Sequence, residues 1–133
     1  MLIQEEGWRN KPYRCTAGYL TIGVGCNLEA NGLCDSAILE QLRHDIIQSR
    51  ASAKQICASF WDRMSETRQD ALVCMVFQIG AVGVSKFKAT LQALESGDYA
   101  TASRQMLNSK WAKQTPARAK RIANLIKYGV YNE

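Results

Sequence analysis

A glutamate, a cysteine and a threonine cluster near the start of the chain, with eight residues between Glu6 and Cys15 and five between Cys15 and Thr21. A carboxyl group can pass a proton, a thiol can attack carbon or hold a water, and a threonine hydroxyl can donate and accept hydrogen bonds. On composition alone Glu6 beside Glu5 reads as an exposed helix residue, and its spacing to Cys15 and Thr21 reverses that reading. Pro12 disfavours helix for the residue before it, which ends the opening helix near Lys11-Pro12-Tyr13. Ala17-Gly18 supplies a turn, and β-branched Thr21, Ile22 and Val24 mark a strand from Tyr19 to Val24. Alternation puts Tyr19, Thr21 and Gly23 on one face and Leu20, Ile22 and Val24 on the other. Burial of the apolar face is expected to turn Thr21 toward a cleft, with Cys15 across the turn. The spacing thus sets a carboxyl group at a helix end opposite two small reactive side chains on a hairpin.

The rest of the chain supplies the scaffold. Asn31-Gly32 marks a turn, and Asp35 can cap a helix to about Gln48 with the apolar stripe Ile38, Leu39, Leu42, Ile46 and Ile47. Ser65 can cap a second helix, whose Ala71, Leu72, Met75, Val76 and Ile79 form a buried face before Gly80 stops it. Shorter helices are expected from about Val84 to Leu94 and from Tyr99 to Leu107. Thr115-Pro116 opens the last helix and Gly129 closes it. The predicted fold is α+β and mostly α, one domain across residues 1–133. A small N-terminal lobe with a β-hairpin (to about residue 60) and a larger helical lobe would leave a cleft between them.

Composition bounds the function. A chain of 133 residues, 47% hydrophobic and 22% charged, is an ordinary globular size and mix. Its five cysteines form no CxxC pair and no Cys/His group at zinc spacing, so neither metal nor cofactor is expected, and free thiols fit a reducing cytosol. Residues 1–6 lack a basic segment followed by an apolar core, so no signal peptide is expected, and no apolar run reaches membrane-spanning length. The net charge of +5 concentrates in Lys110, Lys113, Arg118, Lys120, Arg121 and Lys127. A solvated helix face explains that cluster, as does a surface meeting an anionic polymer. Nucleic acid ranks below a wall polymer, because no helix-turn-helix, zinc or aromatic RNA-binding signature accompanies the charge.

Three ordered blocks then carry a resemblance. Glu6-Gly7, Cys15-Thr16 and Gly18-Tyr19-Leu20-Thr21-Ile22-Gly23-Val24-Gly25 form the first, and Met75-Val76-Phe77-Gln78-Ile79-Gly80 the second. The third is Lys110-Trp111, Gln114-Thr115-Pro116 and Arg118-Ala119-Lys120-Arg121. Together they resemble the active-site signature and later blocks of the phage lysozymes, glycoside hydrolase family 24, over roughly the first 28 and last 70 residues. The middle, about 29 to 60, matches poorly.

The resemblance implies a lysozyme-like fold and a muramidase that hydrolyses the β-1,4 bond between N-acetylmuramic acid and N-acetylglucosamine. Glu6 would be the general acid, with Cys15 and Thr21 positioning the attacking water and Arg118 pairing with Glu6. Cys15 takes the less common of the family's two options, the other being aspartate. A free thiol has a pKa of about 8.5, so it is a weaker base at neutral pH unless neighbours assist. Phe77 and Gln78 match a family block lining the cleft, Thr90 and Gln105 stand at sugar-contact positions with changed residue types, and Asn27 corresponds to a backbone contact, although Phe77 also reads as core. Trp111 is expected to pack between the last helices, and Cys26 stands where the best-known members carry histidine. The resemblance further implies peptidoglycan as substrate, a monomer made in the host cytoplasm, and a separate holin-type pore protein giving access to the wall. Two other classes stay open. One is a cysteine amidase or peptidase using Cys15 with His44, itself expected on a solvated surface. The other is a wall-binding relative with impaired turnover.

Overall fold

The computed structural model describes residues 1–131. The chain divides into two compact units, Met1–Leu42 and Arg43–Glu133.

In the first unit, α1 (Leu2–Glu6) is a single short turn of helix, ended by Gly7 at φ 81°, whose N–H reaches Ile3 O. It stops earlier than the proline suggested, and Lys11-Pro12-Tyr13 instead lies inside β1 (Arg9–Arg14). Strand β1 tolerates Pro12 because its pairing with β2 (Leu20–Gly23) shifts register between Arg9 and Tyr13, an irregularity where a missing N–H breaks no ladder bond. A short β3 (Cys26–Asn27) completes an antiparallel sheet of order β1-β2-β3. Asn27 Oδ1 then accepts from Ala30 N at 3.1 Å, capping the one-turn α2 (Leu28–Asn31).

Burial along β2 corrects the expectation from alternation. Thr21 is the buried residue, at 3% exposure, while Leu20 and Ile22 are only half-buried. Thr21 sits in the central strand opposite both Tyr13 and Asn27, and its hydroxyl donates to Tyr19 O at 2.9 Å. A satisfied hydroxyl costs little to bury.

Helix α3 (Asp35–Ile56) runs eight residues past the expected end at Gln48. Its apolar stripe is not buried: Ile38, Leu39, Leu42, Ile46 and Ile47 are exposed, and its buried residues are Ser49 and Ala53. A 3-10 turn (Trp61–Arg63) leads into α4 (Glu66–Ser85), capped by Ser65 and broken at Gly80, whose φ of 80° and ψ of 166° interrupt the regular helix where expected. Four helices follow: α5 (Lys88–Glu95), α6 (Tyr99–Leu107), α7 (Lys110–Gln114) and α8 (Pro116–Tyr128). The core of this second unit is Leu72 and Met75 from α4, Leu94 from α5, Met106 from α6 and Ile126 from α8, each at most 1% exposed. Each such side chain contributes about 1.5–3 kcal/mol by leaving water. Arg68 fastens α4 to the end of α8: its Nε donates to Ile126 O at 2.6 Å, a terminal nitrogen donates to Lys127 O at 3.0 Å, and the guanidinium lies 3.5 Å from the Tyr99 ring centre. Among the described residues, no single helix is long and apolar enough to cross a membrane.

Candidate functional site

The first unit brings Cys15 and Thr21 to one small structure. Cys15 N donates to Tyr19 O at 3.0 Å and Gly18 N to Cys15 O at 2.8 Å, which closes a three-residue loop, Thr16-Ala17-Gly18, with Gly18 at φ 87°. That is a tight hairpin ending in a left-handed residue, a position glycine fills without strain. The Tyr19 carbonyl accepts from both Cys15 N and the Thr21 hydroxyl, so one peptide group joins the two residues. The Cys15 thiol faces the loop's own amides. The Tyr19 N–H, followed by those of Ala17 and Gly18, holds its pKa below the ordinary thiol value, against an opposing effect of partial desolvation. A cluster of donors thus favours the anionic form that can act as a base.

Glu6 ends α1 with an exposed side chain against the Gly23-Val24-Gly25 turn. A Cβ on Gly25 would stand 2.7 Å from Glu6 Oε2, and Gly25 has φ +68°. The turn after β2 therefore leaves a space that the carboxyl group occupies. Sequence reasoning noted the glycines as part of a motif but not as the seat of Glu6.

Glu29 was also missed. Its Oε1 accepts from Leu20 N at 3.0 Å and pairs with Arg14, whose guanidinium also donates to Gly18 O at 3.3 Å. The signal was thin: an acid in the first turn after a capping asparagine. Asn27 is placed as expected just after the sheet, but its side chain is committed to the α2 cap. Cys26 donates weakly to Gly32 O at 3.5 Å.

In the second unit, Thr90 and Gln105 line one cavity of about 290 Å³, together with Phe87, Asn108, Ser109 and Trp111. Thr90 is 3% exposed and Gln105 half-buried. Lys86, Lys88 and Lys110 also border this cavity and give it a positive wall. Trp111 is buried, meets Phe87 edge-on with ring centres 6.0 Å apart, and donates its Nε1–H to Gln78 Oε1 at 2.9 Å. Gln78 is thus bonded to a residue of the cavity lining and is itself half-buried. Phe77 is 47% exposed, which removes the core-packing reading for its side chain. Arg118 lies half-buried in the first turn of α8, and His44 is exposed on α3. No group of three or more metal-ligating side chains occurs among the described residues.

Comparison with known proteins bears on this arrangement. The family model described as Phage lysozyme matches residues 3–127. A probable T4-type lysozyme 2 from Dictyostelium discoideum is 29% identical across 100% of this chain and 95% of its own length. The endolysin of Acyrthosiphon pisum secondary endosymbiont phage 1 is 34% identical over 85% of this chain and 75% of its own length. The pre-baseplate central spike protein Gp5 of Enterobacteria phage T4 is 30% identical over 98% of this chain, which corresponds to 28% of that protein. With its mostly helical fold, small N-terminal sheet and a match along nearly its whole length, the chain belongs to the phage lysozyme family.

Proposed function

We propose that this protein is a muramidase, hydrolysing the β-1,4 bond between N-acetylmuramic acid and N-acetylglucosamine in peptidoglycan with inversion at the anomeric carbon. Membership of a lysozyme family supports glycoside cleavage. The observation that carries the residue assignment is the Tyr19 carbonyl held by both Cys15 N and the Thr21 hydroxyl. With its proton committed to Tyr19 O, the Thr21 oxygen keeps lone pairs that accept one hydrogen of a water. The Cys15 sulfur, favoured as thiolate by the loop amides, accepts the other. A water bound by both hydrogens presents its lone pair to carbon. Glu6, seated on Gly25, protonates the leaving glycosidic oxygen. Cys15 takes up the water's proton as the new C–O bond forms. Phe77, Gln78, Thr90, Gln105 and the backbone of Asn27 contact substrate, and Arg118 supports the acid. The reading extends to a phage endolysin acting as a monomer, made in the host cytoplasm and reaching the wall through a holin-type pore protein.

Product analysis on purified peptidoglycan tests it. The expected result is new reducing ends at muramic acid, with the α anomer formed first, and no cleavage by Glu6→Gln at unchanged fold and wall binding. New free amines would identify an amidase or peptidase instead, and absence of both products would identify a binding-only relative. A β anomer with a trapped glycosyl-thioether would replace inversion by attack of sulfur on carbon.

A further inference from the structure

The peptide bond between Tyr19 and Leu20 carries more of this site than any side chain. A trans peptide is planar and points its C=O and N–H in opposite directions. Here the C=O takes the Cys15 amide and the Thr21 hydroxyl, while the N–H on the far side is held at 3.0 Å by Glu29 Oε1. Strand β3 is only two residues long and pairs with Thr21 and Ile22, so it ends short of Leu20. Leu20 is opposite Arg14 in the β1 ladder, and its N–H goes to the Glu29 carboxylate in place of a third strand. The same carboxylate pairs with Arg14, which reaches round to Gly18 O. Glu29 and Arg14 therefore hold the peptides on either side of Tyr19.

We infer that Glu29 is a positioning residue: by fixing the Tyr19–Leu20 peptide plane, with Arg14, it sets the orientation in which Cys15 and Thr21 hold the attacking water. This rests on the proposed roles of those two residues. Energetics separate positioning from stability. Both partners of the ion pair are largely solvated, with side chains 64% and 44% exposed, and such pairs contribute little to folding. A small rotation of the peptide plane, in contrast, moves two water ligands together, and misplacement on the ångström scale lowers turnover by one to two orders of magnitude, roughly 10- to 100-fold.

The test uses the whole protein and reads the Cys15 alkylation rate against pH, resolved from the other cysteines by peptide mass spectrometry, beside kcat and KM on peptidoglycan. Alkylation needs no turnover, so failure of the muramidase reading and failure of this one are separable. The charged side chains hydrogen-bonded around the loop are Glu29, at Leu20 N, and Arg14, at Gly18 O. Removing only the negative charge leaves Arg14 uncompensated and moves the alkylation midpoint down. Loss of loop orientation takes the amides away from sulfur and moves it up. For Glu29→Ala the midpoint is expected to rise and kcat to fall at least about 10-fold, with KM changed less than about 2-fold. Glu29→Gln, which keeps an acceptor for Leu20 N–H, is expected to restore most of kcat. A lowered or unmoved midpoint in Glu29→Ala, kcat unchanged, or Glu29→Gln as impaired as Glu29→Ala overturns the proposal. If Glu29→Ala does not fold, Arg14→Gln replaces it, and unchanged kcat and midpoint there overturn it equally.

Discussion

Two residues test the chemistry from opposite sides. Gly25 does so through what it lacks. Any side chain there meets Glu6 Oε2 at 2.7 Å and also forces a left-handed φ of +68° on a residue with a Cβ. Gly25→Ala is expected to cost about 1–3 kcal/mol in stability and to lower kcat further than Tm alone explains, because the displaced group is the proposed acid. Equal activity per folded molecule in Gly25→Ala would show that Glu6 has no need of this seat. Cys15 tests the base. Its sulfur depends on loop amides for anionic character, whereas a carboxylate is anionic at neutral pH unaided. Cys15→Asp is therefore expected to keep or raise activity near pH 7 and to extend it to lower pH. A pH–rate profile that loses its acid limb at the same pH as the wild type would dismiss Cys15 as the titrating base. That Cys15 and Thr21 share one hairpin was legible because type and spacing are local properties. The peptide that joins them was not, since a carbonyl has no residue letter.

The helices follow local signals closely where a cap or breaker is present. Ser65, Gly80, Pro116 and Gly129 fall where α4 and α8 start, break or stop. Where the signal was periodicity alone the outcome differed: the stripe on α3 is exposed, and Thr21 is buried in place of its apolar neighbours. Period gives the face of an element but not what covers it, and a satisfied hydroxyl can lie on the covered side. The five-residue α7 escaped notice because its only cap is Ser109, whose hydroxyl accepts from Ala112 N at 3.2 Å. Arg68 lies beyond any local reading, since it meets carbonyls 58 and 59 residues away. Arg68→Lys keeps the charge but loses the planar fork that caps α8 and stacks on Tyr99. It is expected to destabilise the protein by about 1–3 kcal/mol, measured by denaturant unfolding, and to leave kcat per folded molecule unchanged. A loss below about 0.5 kcal/mol would reduce Arg68 to an ordinary surface cation.

At the scale of the whole chain, an arginine, an aspartate and a tyrosine tie distant segments together. Arg50 on α3 donates to Asp70 on α4 at 2.8 Å, and Tyr131 beyond α8 donates its hydroxyl to the same carboxylate at 2.8 Å. The hydrogen bond to Asp70, with desolvation and the carboxylate charge adding, raises the Tyr131 phenol to about 12 from an ordinary 10.0. A raised folded-state pKa favours the protonated form, so the tie is fully present below pH ~10 and is lost as pH rises through about 12. Tyr131 is 58% exposed, so the effect is a modest slope and not collapse. Tyr131→Phe is expected to lower Tm slightly at pH 8 and to flatten its decline between pH 10 and 12. Parallel Tm curves for variant and wild type across that window would show that the phenol is uncoupled from folding.

The bond between Trp111 and Gln78 has a consequence for recognition. An indole N–H only donates, so the amide oxygen of Gln78 must be the atom turned inward to meet it at 2.9 Å. What remains of that amide is its NH2 group. In its proposed role as a substrate contact, Gln78 therefore offers donors, and matches an amide or acetyl carbonyl in preference to a hydroxyl that has to give its own hydrogen. Gln78→Glu retains an acceptor for Trp111 but carries no donor in its ionised form. It is expected to fold normally and to raise KM several-fold for N-acetylated glycan, while chemically de-acetylated glycan distinguishes the two proteins far less. An equal KM penalty on both glycans would show that the acetyl carbonyl is not what Gln78 reads.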